Sequence, residues 1–559
     1  MDMKNFCCTI MACLMALAAW GEDFTFTDGV FFVNEDRYGP NQGSINFYNY
    51  AYYEMEYNVY ALVNPTTLLG VTSQSGQVYG GRMFIVSKQA NGNEGAGNTA
   101  GSRLAVLDAV TLKQQASLLR FGNDADSVYD GRSYCAVSPD KGYVATSGGI
   151  FVLDVNTMAT VGPIAGTQSS ACGDYNSLYS GQCGDMVRFG QYVFAVQQGV
   201  GLHVIDPARD VVVKTLPFPH IVTVFVTAGG KLYVANNSRE VYDFGTGPYV
   251  ADFTRIDPVT LEVADVYELA GTCGALSSWG AWRARMLCVD PVSERVYYSY
   301  DEFQNYISCY DFDTREFTDT LILLPEAADI NWDGSRHRQG LYAAALSFDP
   351  HTRDLVVQTT EAAPMYAYQV FNHNWVLFYD MATGALKREV RLRDGYWFPA
   401  IALYPDLYAP ELNLTGQTLA VGEERILSLL DVVSDADNMA SLAVTTAASA
   451  SEAVARATVS GLELRITGVA PGETTVDVVT DSNGKLVTAT FTVTVTPTSV
   501  LGDANMDGEV DIADVTTLIE VALGSVLCNY DPAACDLDRN GEIDVADVVA
   551  LIEVVLNRE

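Results

Sequence analysis

Between residues 24 and 405 the chain repeats one pattern: a turn, an apolar strand, a polar gap, then a second apolar strand that ends in Asp and a short turn. Six of the second strands read RLAVLD ending at Asp108, IFVLD at Asp154, LHVID at Asp206, FTRID at Asp257, ISCYD at Asp311 and VLFYD at Asp380. Their partners read MFIVS from Met83, GYVATS from Gly142, YVFAV from Tyr192, KLYVAN from Lys231, RVYYSY from Arg295 and DLVVQT from Asp354. Turn residues such as Gly229-Gly230 and Asp349-Pro350 introduce several of these strands. Successive Asp marks (108 to 154, 154 to 206, 206 to 257, 257 to 311) lie 46, 52, 51 and 54 residues apart, near the roughly 40 to 50 of four-stranded propeller blades. The last gap is widened by an insertion around Pro325 to Gln339. A further unit, GVFFVNED from Gly29 and SINFYNY from Ser44, brings the count to seven. The strand at Tyr396 to Tyr404 is then free to pair with that first unit and close the ring, removing exposed sheet edges. The prediction is a mainly β protein whose residues 24–405 form a seven-bladed β-propeller.

After Tyr408-Ala409-Pro410 aromatic residues nearly vanish, and Thr, Val and Ala dominate to about residue 497. Thr474 to Thr480 and Leu486 to Thr496 alternate apolar and polar residues around an Asp481-Ser-Asn-Gly484 turn, which predicts a hairpin buried on one face. Residues 409–497 resemble small bacterial immunoglobulin-like domains, particularly in the stretch Gly468-Val-Ala-Pro-Gly472-Glu-Thr-Thr-Val. The resemblance implies a β-sandwich spacer.

Residues 501–559 carry the most specific chemistry. Asp503, Asn505, Asp507, Glu509, Asp511 and Asp514 occupy positions 1, 3, 5, 7, 9 and 12 of a loop with Gly508 at position 6. Asp536, Asp538, Asn540, Glu542, Asp544 and Asp547 repeat the set 33 residues later, with Gly541 at the turn. Calcium takes six to eight oxygen ligands, and this spacing gathers them around one tight loop, with Glu509 and Glu542 serving through the backbone carbonyl of position 7. Two calcium ions are expected. Each loop runs into a helix, DVTTLIEVALG from Asp514 and DVVALIEVVLN from Asp547. Leu518, Ile519 and Ala522 on one, and Leu551, Ile552 and Val555 on the other, are expected to form the packing faces.

The duplicated loop and helix is similar to a type I dockerin, a module that plugs into cohesin domains of extracellular complexes and surfaces. The likeness implies a cohesin-like or other surface protein as partner of residues 501–559. Many such modules carry Ser-Thr at loop positions 10 and 11, where this chain has Ile512-Ala513 and Val545-Ala546. These four apolar residues are the candidate docking contacts.

Charge narrows the rest. With 32 basic and 69 acidic residues the net charge is −37, which repels nucleic acid and anionic lipid. Lys4 followed by the apolar run Phe6 to Trp20 and then Gly21-Glu22-Asp23 reads as a secretory signal over residues 1–21. Lipid attachment at Cys13 has a shorter hydrophobic segment behind it. No later run reaches the ~18 apolar residues of a membrane helix, so a secreted or surface-associated protein is expected. Beyond the leader, the even cysteine set permits disulfides; Cys172 with Cys183 and Cys528 with Cys535 bracket short polar loops. The five histidines show no metal-ligand spacing. The strand-end Asp residues are expected to cap the turns that follow them. Asp329-Ile-Asn331-Trp-Asp333-Gly334 matches the first half of a calcium loop, but Gly340 at the twelfth position offers no carboxylate.

Residues 24–405 resemble YncE-like seven-bladed propellers, including bacterial surface proteins that begin with a similar segment, here Gly29, Val30, Phe31, Asn34 and Glu35. Relatives of this general shape include corrinoid binders, lactone hydrolases and modules of unknown ligand, so the fold does not choose a function. Ligands of such rings meet loops at a channel mouth, and Asn34, Glu35, Trp332 and Tyr396 adjoin strand ends or the insertion there. Trp279 and Trp282 serve either as a sugar-stacking platform or as packing between blades. The expectation is an extracellular binding protein for a glycan or a small molecule such as a corrinoid, with no catalytic residue singled out. A secreted polysaccharide hydrolase or lyase and a structural adhesion protein are the alternatives.

Overall fold

The computed structural model describes residues 24–36, 42–90, 101–122, 129–169, 181–237, 251–269, 287–299, 304–330, 334, 336–362, 372–396, 398–428, 432–436, 442–460, 463–497, 500–525 and 530–557. The signal segment, Trp279, Trp282, Asn331 to Asp333, Cys172 and Cys528 lie outside them, and with them both proposed disulfides. The chain divides into two compact units, Met1–Glu411 with Ser434–Ala443 and Thr480–Val487, and Leu412–Val433 with Val444–Val479 and Thr488–Glu559.

Among the described residues of the first unit, seven antiparallel sheets follow one another along the chain. The second runs Val71–Tyr79, Arg82–Gln89, Leu104–Asp108 and Gln114–Leu118, each strand bonded to the next. The third to sixth repeat this meander, starting at Gly131–Ser138, Cys183–Phe189, Ile221–Val226 and Leu287–Val289. The seventh holds Arg336–Phe348, Leu355–Ala362, Asn374–Asp380 and Ala385–Arg391, and the insertion adds a fifth strand, Glu326–Ile330, to its edge. Gly340 is one of the strand residues of Arg336–Phe348, paired with Thr360. The first sheet is the exception in chain order: Pro399–Leu403 pairs with Gly29–Asn34, which continues to Ser44–Asn49 and Glu54–Glu56. The expected pairing of the late strand with the first unit is therefore present.

Side-chain alternation explains why the central strands are apolar on both faces. Phe31 and Val33 pack with Met83 and Ile85 of the second sheet. Val30 and Phe32, on the opposite face, pack with Val356, Val376 and Phe378 of the seventh. Similar clusters join the second sheet to the third, and so on to the sixth and seventh. Outermost strands meet another layer less and alternate accordingly, as in Val211–Pro217, where only Leu216 is buried.

Each strand-end Asp turns its carboxylate onto the backbone that follows. Asp154 Oδ1 accepts from the N–H groups of Asn156 (3.0 Å) and Thr157 (2.8 Å). Asp108, Asp257, Asp311 and Asp380 each accept from the N–H groups two and three residues on. Asp206 accepts from Ala208 N–H and from the Arg209 side chain. These are the Asx turns expected of Asp at a strand end.

Among the described residues, 411–497 contribute strands to three sheets: Glu424–Ser428, Glu463–Gly468 and Ala455–Ser460 in one, Gln417–Ala420, Lys485–Thr496, Gly472–Ser482 and Leu442–Ser449 in another, and the short pair Glu411–Leu412 and Val433–Ser434 in the third. The hairpin turn places Asn483 and Gly484 at positive φ (44° and 84°), as a two-residue turn requires. Residues 501–557 form the helices Ile512–Ala522, Pro532–Cys535 and Val545–Leu556. Val515, Leu518, Val548 and Leu551 pack with Ala504, Val510 and Cys535. Ala522 and Val555 join this core at its margin, but Ile519 and Ile552, expected on the packing face, are 40% and 37% exposed. The stripe is narrow, spaced three and four apart, and both isoleucines fall one step to its side.

Candidate metal centre and ligand face

The two acidic loops are wound by nearly one hydrogen-bond scheme. Asp503 accepts from the N–H groups of Asp507 (3.0 Å) and Gly508 (2.9 Å), and Asn505 Oδ1 from Asp507 N–H (2.8 Å). In the second loop Asp536 accepts from Asn540 (3.0 Å) and Gly541 (2.9 Å), and Asp538 Oδ1 from Asn540 N–H (3.1 Å). Glu509 and Glu542 donate their N–H groups to Asp507 and Asn540, leaving their side chains exposed. Gly508 and Gly541 hold φ 91° and 88°, a conformation glycine adopts without steric cost.

Position 12 closes each loop. Asp514 and Asp547 are buried. Asp514 accepts from the N–H groups of Asn505 (3.0 Å) and Asp511 (2.8 Å). Asp547 accepts from Leu537 (2.7 Å), Asp538 (3.2 Å) and Asp544 (3.0 Å). Burial alone raises the Asp547 carboxyl, and these donors outweigh it and hold the group below its usual range. Carboxylate oxygens of Asp503, Asp507 and Asp514 lie within 4.8 Å of one another, as do those of Asp536, Asp538 and Asp547. Three anionic oxygens so close repel, and a hard cation among them reverses the sign of the interaction. The all-oxygen donor set fits calcium. Asp511 and Asp544, at position 9, also begin the helices: each accepts from the N–H two residues on (2.7 Å) and completes a capping box with position 12. Loop and helix are thus built by the same carboxylates.

Ile512 and Val545 stand at the first helical positions, 69% and 70% exposed, with Ala513 and Ala546 exposed beside them.

At the other candidate site, Asn34 and Glu35 are buried at the end of Gly29–Asn34. Glu35 N–H donates to Phe398 O (3.0 Å), and its carboxylate accepts from Gln74 Nε2 and from the Tyr342 hydroxyl (3.3 Å). Tyr342 stacks on Phe398 with ring centres 4.1 Å apart. Tyr396 pairs with Tyr57 at 4.8 Å, and its carbonyl accepts from Asn374 Nδ2 (2.9 Å). Tyr57 follows Glu54–Glu56 of the sheet that holds Asn34 and Glu35, so this pairing sets Tyr396 against that sheet; Trp332 lies outside the described residues. Asp36 and Phe398 hold φ 56° and 48°, rare for side chains other than glycine. Sequence reasoning missed the buried Asn46, Gln358, Thr360 and Asn374. The available signal was a polar residue at an inward position of an otherwise apolar strand.

Fold and site define a mainly β, propeller-like protein that ends in a dockerin-type calcium module. The chain belongs to the family described as Domain of unknown function (DUF5074), whose profile matches residues 28–405. Residues 501–556 match the Dockerin type I domain; dockerins bind calcium and typically pair with cohesins. No curated protein matches the sequence. Among solved structures, a quinonprotein alcohol dehydrogenase-like protein from Bacteroides thetaiotaomicron VPI-5482 aligns at 14% identity over 68% of this chain and 79% of its own, with a TM-score of 0.48. A protein from Lactobacillus plantarum aligns at 10% identity over 66% and 98%, TM-score 0.39. The β-propeller domain of Cps50 (Swd1) from Myceliophteria thermophila aligns at 10% over 60% and 93%, TM-score 0.35. Among the described residues no helix is long and apolar enough to cross a membrane.

Proposed function

We propose that this is an exported binding protein in three parts: a seven-bladed propeller that holds an extracellular ligand, an immunoglobulin-like spacer, and a dockerin module that takes two calcium ions and docks to a cohesin-like or other surface protein. The observation that carries the reading is the pair of nearly identical acidic loops, each closed by a buried Asp that completes the capping box of the helix that follows. Seven apolar clusters, each between consecutive sheets and the last between the seventh and first, support the ring. Exposed Ile512 and Val545 give docking an apolar contact that polar loop residues would not.

The ligand is a glycan or a small molecule such as a corrinoid, met near Asn34, Glu35, Trp332 and Tyr396. Commitment of the strand-end Asp residues to turns supports binding over hydrolysis. A pull-down from the source's culture, with and without a calcium chelator, tests the docking half: a surface protein is recovered only with calcium. Identical recovery in both conditions would refute calcium-dependent docking.

A further inference from the structure

Alternation places Val30, Phe32 and Asn34 of the first sheet on one face, with Asn46 and Tyr48 of its next strand. Val356, Gln358 and Thr360 of the seventh sheet oppose them, with Asn374, Val376 and Phe378. At one end of this seam the facing residues are apolar and packed. At the other they are Asn34, Asn46, Gln358, Thr360 and Asn374, all buried.

Among the described residues four atoms of that polar layer have no hydrogen-bond partner: Asn34 Oδ1, Asn46 Nδ2, Gln358 Oε1 and Thr360 Oγ1. The amide orientations are fixed by what the other end of each side chain touches. Asn34 Nδ2 donates to Ser44 Oγ (3.1 Å), whose hydroxyl is spent on Asp36 (2.6 Å). Gln358 Nε2 donates to Pro399 O (3.0 Å), and Asn46 Oδ1 accepts from Asn58 N–H (2.9 Å). The seam thus presents two acceptors, one donor and one hydroxyl. Buried polar groups are rarely left so, and a cluster of them marks a place for a guest. A metal ion gives Asn46 Nδ2 nothing to donate to. An anion gives the two amide oxygens no proton, and the net charge of −37 opposes it. A hydroxyl group both donates and accepts.

The layer is tied by Asn374 to Tyr396, which with Tyr57 makes a half-buried aromatic pair beside it. Phe398 next to it holds a left-handed backbone (φ 48°), the strained kind found at ligand clamps. We propose that the seam between the seventh and first sheets binds a neutral, hydroxyl-rich ligand of the sugar class, its hydroxyls meeting the four unpartnered atoms while a ring face lies on Tyr396 and Tyr57. This rests on the binding reading above and narrows its ligand and its place. Water shares the hydroxyl chemistry, so the test separates the two.

Titration calorimetry on the full, calcium-loaded chain uses cellohexaose, xylohexaose and mannohexaose as neutral probes and cyanocobalamin as the corrinoid arm. At least one oligosaccharide is expected to bind. Thr360→Val, which keeps the shape and removes an unpartnered hydroxyl, is expected to weaken it about tenfold with the melting temperature unchanged or raised. Tyr396→Ala is expected to weaken it by a similar factor through the lost ring face. Oligosaccharide binding unaltered in both variants overturns the seam and leaves the binding reading standing. Binding of cyanocobalamin alone overturns the sugar class only. Binding of neither probe type, with Thr360→Val lowering the melting temperature, means that water fills the seam, and both readings fall.

Discussion

The propeller-like sheets and the terminal loops both depend on aspartate and use it in opposite ways. In the sheets each strand-end carboxylate stands apart and is neutralised locally by backbone or side-chain donors, as Asp154 is by Asn156 and Thr157. Cohesion comes from apolar clusters between neighbouring sheets. In the loops three carboxylates converge within 4.8 Å, and the core behind them is one small cluster. An acidic group next to N–H donors stabilises a turn by itself; acidic groups facing one another need a cation. The first region is expected to stand without metal, and the second to fold with it.

Chelation is the sharpest way to break this contrast. Removing calcium is expected to abolish the helical circular dichroism of residues 501–557 and leave the β signal intact; unchanged helicity would show the loops to be self-sufficient. Asp514→Ala is expected to reduce the calcium stoichiometry from two to one by calorimetry. Core truncations come next. Phe32→Ala, between the first and seventh sheets, is expected to destabilise the larger unit by about 3–5 kcal/mol without altering calcium binding. Leu518→Ala, worth about 2–5 kcal/mol in the small core, is expected to weaken calcium binding because folding and binding are one equilibrium there. Thermal melts and calcium titrations of both variants check the pair.

Acid gives the smallest effect. Backbone donors, from Thr157 first, hold the Asp154 carboxyl below its usual range, and those of Thr260 and Val259 do the same for Asp257. A carboxyl with a lowered folded pKa contributes stability that is present above its unfolded value, about 3.9, and is lost as pH falls through the folded one. The melting temperature of the larger unit should therefore decline below about pH 4, and Asp154→Ala should flatten that decline slightly. An equal slope in the variant would remove this turn from the account.

The convergence of carboxylates in the two acidic loops was readable from sequence, because these residues lie within twelve positions of one another and spacing alone fixes which oxygens can meet. The sheet repeat was readable for a similar reason: strand, turn and terminal Asp are local, and Asp108 or Asp257 announces its own turn. Ile519 and Ile552 were misplaced because a stripe one residue wider fits the sequence equally well, and only the partner helix decides where it ends. The double role of Asp511 and Asp544 as loop members and helix caps depends on where the helix begins, which boundaries read from sequence leave loose by a residue or two. Asn34 and Glu35 could be named, but not what they face. Gln74, Tyr342 and Gln358 come from strands separated by tens to hundreds of residues, and no local pattern pairs them. Sequence by itself determined the acidic loop spacing and the strand rhythm, both set by short-range geometry. Tertiary structure alone decided the polar seam between the seventh and first sheets, because it forms only where the two ends of the repeat meet.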